Sequence, residues 1–195
     1  MPTLPTDLQQ VLDDIDAADR AGESIARQVT DEQFHWRPRD GQGWSIAQCL
    51  DHLAVINSLY SAPVRQAVDN ARARGWTRRA PAAPGFFGRR FIASQEPPVK
   101  RKFSAPGSVQ PAAAVKSREE ILSAYHHAHT VVRKLIADAA EVDINRATFP
   151  NPFVKIIRVR VSTAFLVLAA HDRRHLWQAE QVRTAPGFPA PAAQT

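Results

Sequence analysis

The sequence predicts an all-α protein, and three observations lead to this prediction. Apolar residues recur at intervals of three and four in four separate segments, which is the spacing of amphipathic helices. Each segment begins at residues that can cap a helix, namely Thr6-Asp7, Ser45, Ser117 and Ser162. No segment alternates between apolar and polar residues for long enough to predict a sheet. These observations together predict a four-helix bundle.

The first predicted helix begins at Thr6-Asp7 and ends near Val29. Its apolar positions follow the helical repeat at Leu8, Val11, Leu12, Ile15, Ala18 and Ile25. Glycine and proline at positions 38, 41 and 43 then interrupt regular structure. Residues 31–44 are therefore predicted to form a tight connection.

The second predicted helix begins behind Ser45 and ends around Gly75. Its apolar arc is wide enough for two neighbouring helices to cover it, and consists of Ile46, Cys49, Leu50, Leu53, Ile56, Tyr60 and Val64. Pro63 lies inside the pattern, where we expect a kink.

A long irregular crossover is predicted between the second and third helices, over residues 76–116. Nine prolines and glycines lie between Pro81 and Pro111, and the apolar residues there show no period. A crossover of this length allows two successive helices to run parallel, whereas a short link would make them antiparallel.

The third helix begins with a capping box, in which the side chains of Ser117 and Glu120 each bond a backbone amide of the other. Residues 141–160 are predicted to be an irregular return, with a short extended segment beginning at Val154. The fourth helix is capped by Ser162 and ends at about Arg183. One domain over residues 1–183 and a flexible tail over 184–195 follow from this division.

Composition limits the class and compartment of the protein. No run approaches the ~20 apolar residues that a membrane span requires, so we expect no membrane partner. The first residues lack the basic and apolar stretches of a signal peptide. The single cysteine, Cys49, suits a reducing compartment and is interpreted as a small buried apolar residue. We therefore expect a cytoplasmic protein.

The net charge of +6 comes from one region. Between Arg65 and Lys102 there are ten basic residues against two acidic ones, whereas the rest of the chain has 15 basic and 17 acidic residues. Arginines and lysines alternate there with phenylalanines, a mixture that can bind phosphates and stack on bases. The same mixture can cover a cleft and admit an anionic substrate, and we favour this reading over nucleic-acid binding.

Two histidines of the fourth helix, His171 and His175, are the most informative residues. At about 100° per residue, both fall within the apolar stripe, as does Gln178. Side chains four residues apart lie one turn apart on one face, where both can reach one ion. Alternatively, each imidazole bonds a polar group across the bundle.

The same five residues, His171-Asp-Arg-Arg-His175, have the His-acid-x-x-His form of a zinc protease helix. We reject this reading, because such enzymes take a third ligand further downstream and only a short tail follows here. An upstream ligand is expected instead. His52, on the flank of the second helix, is the candidate. His129 on the third helix could also line the cleft, but we favour a solvated or hydrogen-bonded histidine at that position.

Two motifs of the sequence resemble motifs of the DinB/YfiT-like superfamily. The entry to the second helix has that family's Trp-Ser pair followed by a His-Leu pair, in Gly43-Trp44-Ser45-Ile46-Ala47-Gln48-Cys49-Leu50-Asp51-His52-Leu53. The fourth helix has its two histidines and trailing glutamine, in His171-x-x-x-His175-x-x-Gln178. The resemblance implies an up-down-down-up four-helix bundle, often a homodimer. It also implies that His52, His171 and His175 bind a divalent ion such as nickel or zinc.

The resemblance further implies a function. With three protein ligands the ion would keep open positions, as catalytic metal sites do. The implied activities are those of a hydrolase, or of a thiol-dependent transferase or isomerase with a thiol cofactor and a small-molecule substrate. Gln178 and Asp51 are the nearest candidates for supporting the ligands, although we favour the simpler interpretation of a helix-surface amide and a solvated carboxylate. The alternatives are a non-catalytic metal-binding bundle of a stress response and a nucleic-acid-associated protein that uses the basic link.

Overall fold

The computed structural model describes residues 4–99, 107–111 and 116–190. Within them lie six α-helices, one 3-10 turn and one two-stranded sheet, so the predicted all-α class is confirmed. In chain order these are α1 (Thr6–Arg27), α2 (Asp31–His35), α3 (Ile46–Ala73), α4 (Phe86–Gln95), the 3-10 turn (Gly107–Val109), α5 (Arg118–Asp138), β1 (Thr148–Pro150), β2 (Arg158–Arg160) and α6 (Val161–Arg183). None of the helices in these ranges is long and apolar enough to cross a membrane.

Four long helices correspond to the four predicted ones. Helix α3 packs against α5 and α6, and α1 packs against the same two helices. Their buried side chains form two apolar clusters, one around Ile15, Leu135 and Phe165 and the other around Leu53, Tyr125 and Leu176. The up-down-down-up order and the single domain over 1–183 stay predictions.

Two of the predicted caps are confirmed and two are wrong. Ser45 and Ser117 both form complete capping boxes, with Gln48 and Glu120 respectively. Helix α1 instead starts after Pro5, without a side-chain cap. Helix α6 starts after Arg160, because the amide of Ser162 donates to the carbonyl of Ile144 at 3.1 Å. The loop before the helix thus replaces the predicted serine cap.

The connections contain more structure than predicted. Residues 31–44 include α2, which is capped by a box between Thr30 and Gln33. The link over 76–116, predicted to be irregular, includes α4 and the 3-10 turn; its residues 100–106 and 112–115 lie outside the described ranges. Helix α4 packs on α6, so tertiary contact stabilises a helix too short to form alone.

Ion pairs attach the link over 76–116 to two long helices. Arg78 contacts the carboxylate of Asp7 at 2.6 Å, and the amide of Ala82 donates to that carboxylate at 2.6 Å. At the end of α4, Glu96 pairs with Arg173 of α6 at 2.6 Å. The link is therefore attached to α1 at its start and to α6 further along.

Two smaller segments complete the description. The predicted extended segment is confirmed in part, since β2 pairs antiparallel with β1 and places Phe149 opposite Val159. After α6, Phe188 packs edge-on against Trp36 at a ring distance of 5.5 Å. Residues 191–195 lie outside the described ranges, and the flexible tail stays a prediction.

Candidate metal centre

His52 is held by a residue of the link. Its ring is buried in α3, and Nδ1–H donates to the carbonyl of Val109 in the 3-10 turn at 2.7 Å. This bond places the ring hydrogen on Nδ1 and leaves the lone pair on Nε2. An acceptor on the far nitrogen is the usual way in which proteins orient a metal-binding imidazole.

The three predicted histidines lie together. His171 and His175 follow each other by one turn of α6, with ring centroids 4.5 Å apart. The His52 ring lies 5.1 Å from the His171 ring and 4.6 Å from the His175 ring. One nitrogen from each of the three rings lies within 4.8 Å of the other two. We call these three side chains the histidine cluster.

The spacing within the histidine cluster fits a divalent cation. Two nitrogens bound to one zinc ion at tetrahedral angles would lie about 3.4 Å apart. The Nε2 atoms of His52 and His171 are 3.4 Å apart. The Nδ1 atoms of His171 and His175 are buried and have no hydrogen-bond partner within the described part of the chain. Two of the three rings thus have a nitrogen without a partner, and His52 presents its Nε2 to His171. This arrangement is suited to binding one ion.

Burial keeps the histidine cluster neutral. It lowers the pKa of His171 to about 3, and the nearby charges of His52 and Arg174 act in the same direction. Burial also holds the pKa of His175 well below its ordinary value, although a hydrogen bond with Gln178 opposes this. The pKa of His52 is lowered by burial against the effect of the Val109 carbonyl. Neutral imidazole is the form that binds metals.

Trp44 covers one side of the histidine cluster. Its indole ring stacks on His175, with ring centroids 5.5 Å apart and an interplanar angle of 21°. It also lies 4.9 Å from the His52 ring. Since Trp44 immediately precedes the cap residue Ser45, the start of α3 orients two of the three imidazoles.

The two predicted supporting residues lie beside different ligands. The side chain of Gln178 acts to raise the pKa of His175. Asp51 is buried and pairs with Lys116 at 2.6 Å, so it is not the solvated carboxylate of a helix surface. Its charge acts to raise the pKa of His52.

A groove of about 600 Å³ is lined by Val109, the residue whose carbonyl holds His52. Apolar side chains form most of its wall, and the ion pair between Asp51 and Lys116 supplies its charged part; the wall includes Asp51, Val55, Leu59, Val109, Lys116 and Phe153. Val109 lines this groove, and its carbonyl contacts the histidine cluster. The groove and the cluster therefore share one residue.

A buried polar network was not predicted from the sequence. Asp172, between the two α6 histidines in the chain, is fully buried and accepts hydrogen bonds from His129 at 3.2 Å and Asn57 at 3.3 Å. Burial acts to lower the pKa of His129, but the Asp172 carboxylate outweighs it and the pKa is raised. His129 thus pairs with Asp172 instead of joining the histidine cluster.

The remaining candidates have other roles. Cys49 is fully buried, and burial raises the pKa of its thiol, so it remains an unreactive apolar side chain. In the basic link, Trp76 is covered by the guanidinium groups of Arg74 and Arg146, 5.0 and 3.9 Å from its ring centroid. That ring already contacts two cations of the protein itself.

Comparison with known proteins identifies one relationship. The sequence profile of the DinB superfamily matches residues 14–179, which is most of the chain and includes all three histidines of the cluster. Searches of curated proteins and of solved structures found no match.

Proposed function

The chain belongs to the DinB superfamily, and from this premise we propose that it is a metal-dependent enzyme acting on a small molecule. The observation that carries the proposal is the histidine cluster, whose imidazoles lie together and are held neutral. We propose that His52, His171 and His175 bind one nickel or zinc ion within an up-down-down-up four-helix bundle, and that the chain acts as a homodimer. The proposed reaction is hydrolysis, or a transfer or isomerisation that uses a thiol.

A bound divalent ion would lower the pKa of a coordinated water or polarise a substrate oxygen or thiolate. The chain's own residues prepare the site for this chemistry. The Val109 carbonyl fixes the ring hydrogen of His52, and Trp44 restricts the rings of His52 and His175. Burial removes competing protons from the ligand nitrogens.

The groove lined by Val109 supports the proposal that the substrate is a small molecule. Its volume of about 600 Å³ suits a molecule of moderate size. Apolar parts of the substrate would contact Val55 and Phe153, and a charged group would interact with Lys116 or Asp51. The groove thereby gives the substrate a place next to a proposed ligand.

The first test measures metal content. Untagged protein loaded with nickel or zinc should hold about one ion per chain, whereas His171→Ala should hold almost none, because two imidazoles bind a divalent ion much more weakly than three. Elemental analysis after desalting gives the stoichiometry. His127→Ala, at an exposed histidine of α5, is the matched control and should keep its ion. Equal metal content in both variants would overturn the site.

The second test separates catalysis from passive binding. The loaded protein is assayed with p-nitrophenyl esters for hydrolysis, and with glutathione and an electrophilic aromatic chloride for thiol transfer. An activity that requires the ion and is lost in His171→Ala supports the enzyme. A protein that binds its ion fully but lacks every such activity would instead fit a non-catalytic metal-binding protein.

A further inference from the structure

Two segments, one in α4 and one between β1 and β2, expose large apolar side chains. On α4, Phe86 and Phe87 are 62% and 85% exposed. In the turn between β1 and β2, Ile156 is 91% exposed and Ile157 is 52% exposed. Side chains of this size are rarely exposed together unless they contact a partner.

The two segments are neighbours in the fold. The guanidinium of Arg160, at the end of β2, donates to the carbonyl of Ala83, just before α4, at 3.2 Å. Gly88 of α4 lies against Thr163 in the first turn of α6. Both segments thus border the same end of α6, and we call their exposed side chains the apolar–basic surface; it includes Phe87, Arg90, Phe91, Lys155, Ile156 and Ile157.

The charge of this surface has one sign. Residues 76–95 and 144–171 contain no aspartate or glutamate. Two acidic groups that contact the link are already paired, Asp7 with Arg78 and Glu96 with Arg173. The carboxylate of Asp143, just before the second range, accepts hydrogen bonds from the backbone amides of Asn145 and Arg146. Arg89 and Arg90 lie exposed among the phenylalanines, and Lys155 lies exposed beside Ile156. A complementary partner therefore offers apolar groups and negative charge side by side.

We propose that the apolar–basic surface adsorbs to membranes that contain anionic phospholipids. Aromatic and aliphatic side chains would enter the boundary between headgroups and acyl chains, while the arginines and Lys155 approach the lipid phosphates. The expectation of no membrane partner rested on the lack of a spanning segment, which adsorption does not require. The inference is independent of the histidine cluster.

Two other partners fit the surface less well. A second copy of the chain, related by a two-fold axis through this surface, would bring two positively charged surfaces together. A single-stranded nucleic acid would use the phenylalanines for stacking, but Ile156 and Ile157 offer no ring on which a base can stack. Lipid uses both kinds of apolar side chain.

The test is flotation of the full-length protein with vesicles. Binding should be strong on phosphatidylcholine vesicles with about 30 mol% phosphatidylglycerol and weak on phosphatidylcholine alone, and it should fall as salt rises. Phe87→Ser and Ile156→Ser should each lower the partition coefficient about tenfold. The pair Arg89→Gln and Arg90→Gln should lower it about 25-fold on anionic vesicles at low salt, and Phe87→Leu should bind nearly as well as the parent.

Matched controls lie outside the surface. Leu59→Ser changes an exposed apolar residue of α3, and Arg27→Gln changes an exposed arginine of α1; both should bind like the parent. Thermal melting of each variant verifies its folding. Equal binding to neutral vesicles, a loss in Leu59→Ser equal to that in Phe87→Ser, or no binding at all would overturn the proposal.

Two further measurements address the other partners. Sedimentation velocity that shows an association abolished by both Phe87→Ser and Ile156→Ser, with no vesicle binding, would assign the surface to a second copy. Binding of labelled oligothymidylate that is lost in Phe87→Ser but kept in Ile156→Ser would assign it to nucleic acid. Either result would replace the membrane proposal.

Discussion

Asp172 makes its carboxylate available to two donors inside the protein, His129 and Asn57. Removing one member of a buried, hydrogen-bonded charge pair leaves the other uncompensated and costs about 3–5 kcal/mol. We therefore expect Asp172→Ala to lower the free energy of unfolding by that amount in urea denaturation. The control is Asp138→Ala, which removes partly exposed ion pairs with Arg65 and Lys134 and should cost less than about 1 kcal/mol. Equal losses in the two variants would contradict the importance of burial here.

The lowered pKa values of the histidine cluster predict acid sensitivity of the metal-free protein. The unfolded chain protonates these imidazoles near pH 6.5, whereas folded His171 remains neutral down to about pH 3. The unfolded state thus binds more protons, so stability falls as the pH decreases from 6.5 toward 3, by ~1.4 kcal/mol per pH unit for each net proton. His129 acts oppositely: its raised pKa stabilises the fold below pH 6.5, and this contribution is lost as the pH rises through that raised value.

The three histidines of the cluster outnumber His129, so we expect the free energy of unfolding to decrease on acidification. Urea denaturation of metal-free protein between pH 7.5 and 5 measures it. His127→Ala should reproduce the parent's pH dependence, and His171→Ala should show a shallower one. A stability that rises on acidification would show that the cluster is not held neutral by burial.

For single residues, the sequence predicted positions that depend on one helix only. His171 and His175 are one turn apart, so helical phase alone placed them together. The position of His52 came from the family resemblance, because it lies on another helix. The acceptor Val109 and the network around Asp172 join residues that are far apart in the chain, and helical periodicity carries no information on such pairs.

Packing between α1 and α5 depends on the absence of a side chain at Gly22. A Cβ atom there would lie 2.7 Å from the ring of Tyr125, which is fully buried and donates to the carbonyl of Ala18 at 2.7 Å. Gly22→Ala should therefore destabilise the protein by about 1–3 kcal/mol, although alanine is the better helix former. Thermal or urea unfolding gives the change.

The control for Gly22 is an exposed position of the same helix. Ala17→Gly should cost about 1 kcal/mol through helix propensity alone. Helix propensity alone would make Gly22→Ala stabilising and Ala17→Gly destabilising. If both variants are destabilised, the loss in Gly22→Ala comes from packing. A gain in stability for Gly22→Ala would mean that the Tyr125 ring moves aside easily.

Elements were predictable where their signals are local. The capping boxes at Ser45 and Ser117 depend on residues within one turn, and both are confirmed. Helix α4 has no such signal, because Gly85 makes no side-chain cap and α4 is held by contacts with α6. The start of α6 was misplaced for a related reason, since its first amides bond the loop at Ile144 and Ala147.

Binding of the proposed ion should stabilise the whole molecule. A ligand at 100 times its dissociation constant adds ~2.7 kcal/mol, which for a domain of this size raises Tm by about 5–10 °C. Calorimetry of the metal-free protein with and without nickel or zinc measures the shift. His171→Ala should show no shift, whereas His127→Ala should show the full one. An equal shift in both variants would place the stabilising ion elsewhere.

For the whole chain, composition and periodicity were sufficient for the all-α class, because four long apolar stripes need one another to be buried. They were insufficient for the course of the link. Its path depends on single contacts, such as Arg78 with Asp7 and Glu96 with Arg173, which leave no periodic trace in the sequence.

The bond from His52 to Val109 joins residues 57 positions apart. The link between α3 and α5, the connector of these helices, therefore determines which tautomer His52 adopts. A shortened or transplanted connector could leave every helix in place and still turn the His52 nitrogen that faces His171 from an acceptor into an N–H. For protein engineers, the connector is thus part of the coordination chemistry, and loop replacement in this fold should keep a carbonyl at that point.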